Sequence, residues 1–232
     1  MQCTFGDDGN RHPPYPKYVE LRDDGRYEFT CEQGHTTVTV VQEQKFQVLF
    51  DLGAYATLDG YYREAVASFT SSLERFYEFF VKAVLFEDGL DEVTVAETWK
   101  QVSSQSERQL GAFIFLYLKC FAEKPSLLRQ NQTTFRNEVI HKGKIPSRDE
   151  AVQYGQEVLD TVRPILHRVK AAFPKGVEKT VFQHLMNSRK GDESQPVGTM
   201  TIATILSLND GSEKEPSLEE ALSEKQWWRD RW

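Results

Sequence analysis

The stretch "YYREAVASFTSSLERFYEFFVKAVLFED", residues 61–88, constrains the fold more than any other part of the chain. Ala65, Phe69, Leu73, Phe76, Phe80 and Val84 recur at intervals of three and four, which puts them on one face of an α-helix. The pattern lasts for about seven turns. An aromatic stripe of that length must be covered, because burial of such apolar area is the main source of stability. The chain therefore reads as a bundle of helices assembled on this one.

Its neighbours have the matching periodicity. "KFQVLFDLGAYATL" places Phe46, Leu49, Phe50, Gly53 and Ala54 at helical spacing, and Asp59-Gly60 ends the run. "EVTVAETWKQVS" reads as a shorter helix. "ERQLGAFIFLYLKCF" is apolar nearly all round, which predicts a helix at the centre of the bundle. "TTFRNEVIHK" follows, stopped by Gly143 and Pro146. "RDEAVQYGQEVLDTVRPILHRVKAAF" is a long helix with Asp149 and Glu150 in its first turn and an expected kink at Pro164. "GVEKTVFQHLMNSRKG" adds one more.

The two ends differ from this middle. Residues 1–43 read as a small β module, with "KYVEL", "RYEFTC" and "TTVTVV" as short alternating runs and "RDDG" as a turn between the first two. Residues 44–192 form the helical domain. In residues 193–232, "GTMTIATILSL" alternates Met200, Ile202, Thr204 and Leu206 as a strand would, and "NDGSEKEPS" is a polar linker. "SLEEAL" then carries a capping box, Ser217 with Glu220, before the terminal "WWRDRW". Trp227, Trp228 and Trp232 suit a docking element, either on the chain's own domain or on a regulatory protein partner.

The formal net charge of −7 argues against a broad, non-specific nucleic-acid binder. A local reversal stands out against it. Arg136, His141, Lys142, Lys144 and Arg148 face only Glu138 before Asp149, and such an island steers an anionic ligand to one place. No run reaches the ~18 apolar residues of a membrane span, and the start lacks the features of a signal peptide. Three cysteines cannot form a disulfide framework. These features lead to the expectation of a cytoplasmic protein without a membrane partner.

Arg136, Asn137 and His141 fall within six residues of one helix, just before its stop. At about 100° per residue, Phe135 and Val139 share the side expected to be buried, and Arg136, Asn137, Ile140 and His141 are expected to turn outward. His141 at a helix C-terminus is favoured as imidazolium, Asn137 one turn earlier can orient it, and Arg136 offers a planar cation to phosphate. Arg136 and His141 are about 140° apart on the cylinder, so two copies facing each other across a two-fold seam would combine the groups better than one. On spacing alone, an ordinary helix end with a capping His and solvated cations is the favoured reading.

"RNEVIH" resembles the R-x4-6-H signature of HEPN domains, all-α nucleotide-binding and ribonuclease modules. "DGYYREAVASFTSSLERFYEFFVKA" is similar to the long early helix of that fold, and "SRDEAVQYGQEVLDTV" to the helix after the signature. The resemblance covers residues 44–173. It implies a mainly α, HEPN-like bundle acting as a dimeric, metal-independent endoribonuclease, in the manner of the family's toxins and phage-defence effectors. His141 would serve as general base or acid at the ribose 2′-hydroxyl and leaving oxygen, Arg136 would stabilise charge at phosphorus, and Asn137 would orient. Lys142, Lys144 and Arg148 would bind the RNA. Catalysis would need no cofactor. Some family members have lost catalysis, so a non-catalytic adaptor for a protein or nucleotide is the alternative. Glu78 and Lys82 have the spacing of a Glu-x3-Lys pair that some HEPN proteins carry, but a plain exposed i,i+4 ion pair is the commoner source of that spacing.

Two further groups invite a function. Cys31 and His35 in "FTCEQGHT" look like one knuckle of a zinc ribbon, with Cys3 and His12 to complete a structural zinc site. The other reading is a tight turn with a free thiol and a surface His. Arg163 and His167 stand one turn apart and read as a solvated basic face.

Overall fold

The computed structural model describes residues 19–30, 36–189, 197–209 and 215–231. It is mainly helical, with one small sheet, and forms two compact units. Among the described residues, those up to 42 group with those of 181–202, and those of 43–180 group with those from 203 onward.

The helical unit is built on α2 (Tyr62–Glu87), whose Phe69, Phe76 and Phe80 are fully buried. Burial of each such ring contributes about 1.5–3 kcal/mol. α1 (Lys45–Leu58) lies against it, with Phe46 meeting Phe76 and Phe79, and Phe50 meeting Phe69. Phe69 also explains two glycines. A Cβ on Gly53 would come within 2.5 Å of its ring, and one on Gly155 within 2.7 Å of the other edge. α3 (Glu92–Lys100) starts at Asp91, which accepts the Thr94 N–H at 2.9 Å, and buries Val95 and Trp99.

α4 (Ser106–Phe121) stacks Phe113 and Tyr117 on Tyr77 and Phe80. It does not run through the centre of the bundle as its composition predicts. Phe115 is 74% exposed and Leu118 43% exposed, because α4 rests on α2 by one side only. α5 (Gln130–Lys142) also lies on α2. α6 (Arg148–Ala172) opens with a Ser147–Glu150 capping box, passes through the exposed Pro164 as one helix, and buries Tyr154, Val158, Leu159, Val162 and Val169.

α8 (Leu218–Arg229) belongs to this same unit. Its Ser217–Glu220 capping box forms as the sequence predicts, and Leu218 and Leu222 enter the main core together with Leu206. Asp51 of α1 then ties the segment down by accepting the Ile205 N–H at 3.0 Å and Lys225 Nζ at 2.6 Å. Arg163, half-buried, serves the same end, while His167 stays exposed as expected of a solvated face but also pairs with this segment. The first donates to the Pro216 carbonyl at 2.6 Å, and the second meets the Glu215 carboxylate at 2.6 Å.

The other unit holds the sheet, in the order β1 (Arg26–Thr30), β2 (Thr36–Val41), β3 (Val197–Met200). β1 and β2 are antiparallel, with Arg26 opposite Val40 and Thr30 opposite Thr36, and β2 and β3 are parallel. β3 is shorter than the alternation predicts, since residues 201–208 leave the sheet and Leu206 is needed in the helical core. Residues 19–21 of "KYVEL" form no strand, and the turn at Arg22–Gly25 precedes β1 instead of joining two strands. α7 (Pro174–Ser188) begins in the helical unit and ends in this one, where His184 meets the Val41 carbonyl at 3.0 Å.

Candidate functional site on α5

α5 ends where Gly143 takes a left-handed φ of +74°, a conformation costly for residues with a Cβ. Lys144 N–H closes the turn on the Glu138 carbonyl at 3.1 Å. His141 therefore occupies the last helical turn, where the dipole favours a cation. It is exposed and makes no hydrogen bond or ion pair among the described residues.

Arg136 behaves differently from the outward residue that the helical wheel predicts. Val139 is fully buried and Phe135 packs 5.8 Å from the Tyr154 ring, which fixes the inward side of α5. Arg136 lies only about 100° from Phe135, so it turns into the crevice between α5 and α2. Nη2 meets Glu74 Oε1 at 3.4 Å and Nη1 donates to Asn137 Oδ1 at 2.9 Å. Ile140 also departs from expectation, since it is half-buried and packs against the core.

Below Arg136 lies a buried polar layer. Thr70 Oγ1 donates to the Val66 carbonyl and meets the Tyr154 hydroxyl, both at 2.8 Å. Thr70 has a single proton and gives it to the carbonyl, so Tyr154 is the donor between the two. Burial pushes both the Tyr154 and Tyr77 hydroxyls up from their ordinary acidity, so both stay protonated. Burial also raises the Glu74 carboxyl, opposed by the charges of Arg136 and Arg75 and assisted by Glu107. One turn along α2, Glu78 pairs with both Arg75 and Lys82, and Arg75 reaches Gln109 Oε1 at 2.7 Å. Glu78 and Lys82 are thus members of a charge ladder that neutralises the face of α2.

The basic island is likewise partnered. Lys144 Nζ sits 2.8 Å from Glu150 and 3.8 Å from Glu138, and it also covers the Phe135 ring at 4.8 Å. The hydrogen bond to Glu150 raises the Lys144 ammonium, and Lys144 in turn lowers Glu150. Arg148 meets Glu219 at 2.6 Å, and that bond raises its guanidinium. Lys142 is exposed and without an ion pair among the described residues.

No family model, curated protein or solved structure matches the chain. The site must therefore be read from its own chemistry. α5 brings Arg136 and Asn137 into direct contact and leaves His141 about 140° away round the helix. Cys3, His12, Cys31 and His35, the expected zinc ligands, lie outside the described residues, as does Trp232. Among the described residues, no group of three or more His, Cys, Asp or Glu side chains is placed to hold a metal ion, and no helix is long and apolar enough to cross a membrane.

Sequence reasoning missed Glu74. Its separation of 62 residues from Arg136 leaves no local spacing to read. The available signal was a charged residue at the edge of the aromatic stripe, one turn before Glu78.

Proposed function

We propose that the protein is a metal-independent endoribonuclease of HEPN type, cleaving RNA by attack of the ribose 2′-hydroxyl on the adjacent phosphate. His141 exchanges the proton at the 2′-hydroxyl and at the leaving oxygen. Arg136, with its guanidinium fixed by Asn137, takes up the charge that develops on phosphorus, leaving a 2′,3′-cyclic phosphate. Two copies facing across a two-fold axis would supply both groups to one cleft. Lys142, Lys144 and Arg148 would position the strand through its phosphates. The observation that carries this reading is the free, exposed imidazole on the last turn of the helix that also orients Arg136 through Asn137.

The test is cleavage of a short RNA by the wild type and His141→Ala, each in EDTA. The wild type should cut and the variant should lose about 10²–10⁴ in rate. Equal rates would refute the assignment, and a strict Mg²⁺ requirement would point to another site.

One observation favours a non-catalytic reading, in which the same fold serves as an adaptor for a protein or nucleotide. Arg136 is held by Glu74, so a phosphate must displace a carboxylate to reach it. An Arg136→Ala variant that binds its partner normally but melts lower would support the adaptor.

A further inference from the structure

The end of α1, the start of α6 and the second half of α8 meet around a groove of about 410 Å³, a volume within the range of small-molecule sites. Leu58 and the buried Leu222 give the groove an apolar base, and Trp227 lines it while staying 46% exposed. An indole offers a large apolar area at little entropic cost, which is why Trp is enriched where ligands and partners bind.

The charges along the groove narrow what fits it. Arg148 is already matched by Glu219 at 2.6 Å. Arg231 is not. Its guanidinium stacks 3.6 Å from the centre of the Trp227 ring, and Nη1 donates to the Trp227 carbonyl at 3.0 Å. Two contacts thus fix its plane, yet no carboxylate neutralises it among the described residues. Asp230 is the reverse case. It accepts the neutral Gln226 amide at 2.7 Å, and no cation meets its carboxylate among the described residues. Consecutive in sequence, Arg231 and Asp230 both line the groove without pairing with each other.

A complementary ligand therefore carries an anionic group, a cationic group close beside it, and an apolar body. Asp230 repels a polyanion and Arg231 repels a simple cation. An α-amino acid with a large apolar side chain joins all three parts at one carbon. We infer that this groove binds a free apolar α-amino acid, with its carboxylate on the planar fork of Arg231, its ammonium on Asp230 and its side chain against Leu58, Leu222 and Trp227. The inference is independent of what Arg136 and His141 do.

Isothermal titration of the full chain with L-phenylalanine, L-leucine and L-tryptophan is the test. At least one should bind saturably, at one site per chain. Its N-acetyl form, which lacks the ammonium, and its amide, which lacks the carboxylate, should each bind more than about tenfold more weakly, the loss expected for one charged hydrogen bond. Arg231→Gln and Asp230→Asn should weaken binding by a similar factor and melt like the wild type, since both residues are exposed at the end of α8. The blocked ligands need no variant, so they carry the test should either substitution disturb the fold. Absence of saturable binding by all three amino acids, or a blocked form that binds as tightly as the free one, overturns the inference. Binding that both variants leave unchanged places the ligand elsewhere and overturns it as well.

Discussion

Lys225→Met removes one half of a buried ion pair and leaves the stem of the side chain. In the native unit Asp51 is 9% exposed and Lys225 13% exposed, with Nζ 2.6 Å from Oδ2. Without the ammonium, Asp51 retains a single hydrogen bond, from the Ile205 N–H at 3.0 Å. Breaking a pair this enclosed costs about 3–5 kcal/mol, because a desolvated charge is left behind. At roughly 2–4 °C per kcal/mol for a domain of this size, the melting temperature should fall by about 6–20 °C.

The pH dependence sharpens the test. Burial already raises the Asp51 carboxyl above its ordinary value, and only Lys225 and the Ile205 N–H oppose that. Loss of Lys225 raises it further, so the variant's deficit is complete above that raised value and shrinks as pH falls and Asp51 takes up a proton. Asp51→Asn combined with Lys225→Met should recover most of the loss at neutral pH, since the amide oxygen still serves Ile205. Urea unfolding followed by the fluorescence of Trp227 and Trp228, which share α8 with Lys225, reads both effects. A deficit below about 1 kcal/mol, or one equal at about pH 5 and pH 8, would refute a buried, charge-coupled anchor.

Glu74→Gln tests the other enclosed carboxyl. Burial raises Glu74, so its contribution is fully present below the ordinary carboxylate value and is lost as pH rises through the raised one. The stability advantage of wild type over the variant should therefore shrink from about pH 4 to pH 7, and a growing advantage in chemical denaturation would mean that Arg136 dominates instead. Gly53→Ala should cost about 1–3 kcal/mol by forcing the Phe69 ring from its slot, and an unchanged urea midpoint would show that the ring has room to move.

The fold was legible wherever one residue's neighbours are its own helical turn. "KFQVLFDLGAYATL" coincides with α1 because its apolar spacing and its Asp-Gly stop are both local, and the Ser217–Glu220 box marked the start of α8 for the same reason. α4 misled because composition records how apolar a helix is and not how many sides are covered; Phe115 and Leu118 read as core yet face water. "GTMTIATILSL" misled because alternation cannot tell a strand from a segment that lends single residues to a helical core, as Leu206 does. At the candidate site, the order Arg136, Asn137, His141 and the helix stop were legible. The inward turn of Arg136 was not, since the carboxylate that holds it comes from α2.

The same long-range pairing changes what the basic island means. As sequence, Arg136, Lys144 and Arg148 are unopposed cations on an acidic chain. In the fold, carboxylates from other elements meet Arg136 and Arg148, while Lys144 finds Glu138 on its own helix and Glu150 on the next. Only Lys142, with His141 when protonated, presents charge there without a partner among the described residues. An anion approaching α5 thus gains less from long-range attraction than the local count suggests, and on the proposed reading its binding would draw on exchange, with phosphate oxygens replacing carboxylate oxygens around the same guanidinium. Exchange favours a ligand whose phosphate sits at one fixed place over a loosely held polyanion. On the ribonuclease reading proposed above, such a site would select by the position of a single phosphate, which is also what in-line attack by a neighbouring 2′-hydroxyl demands.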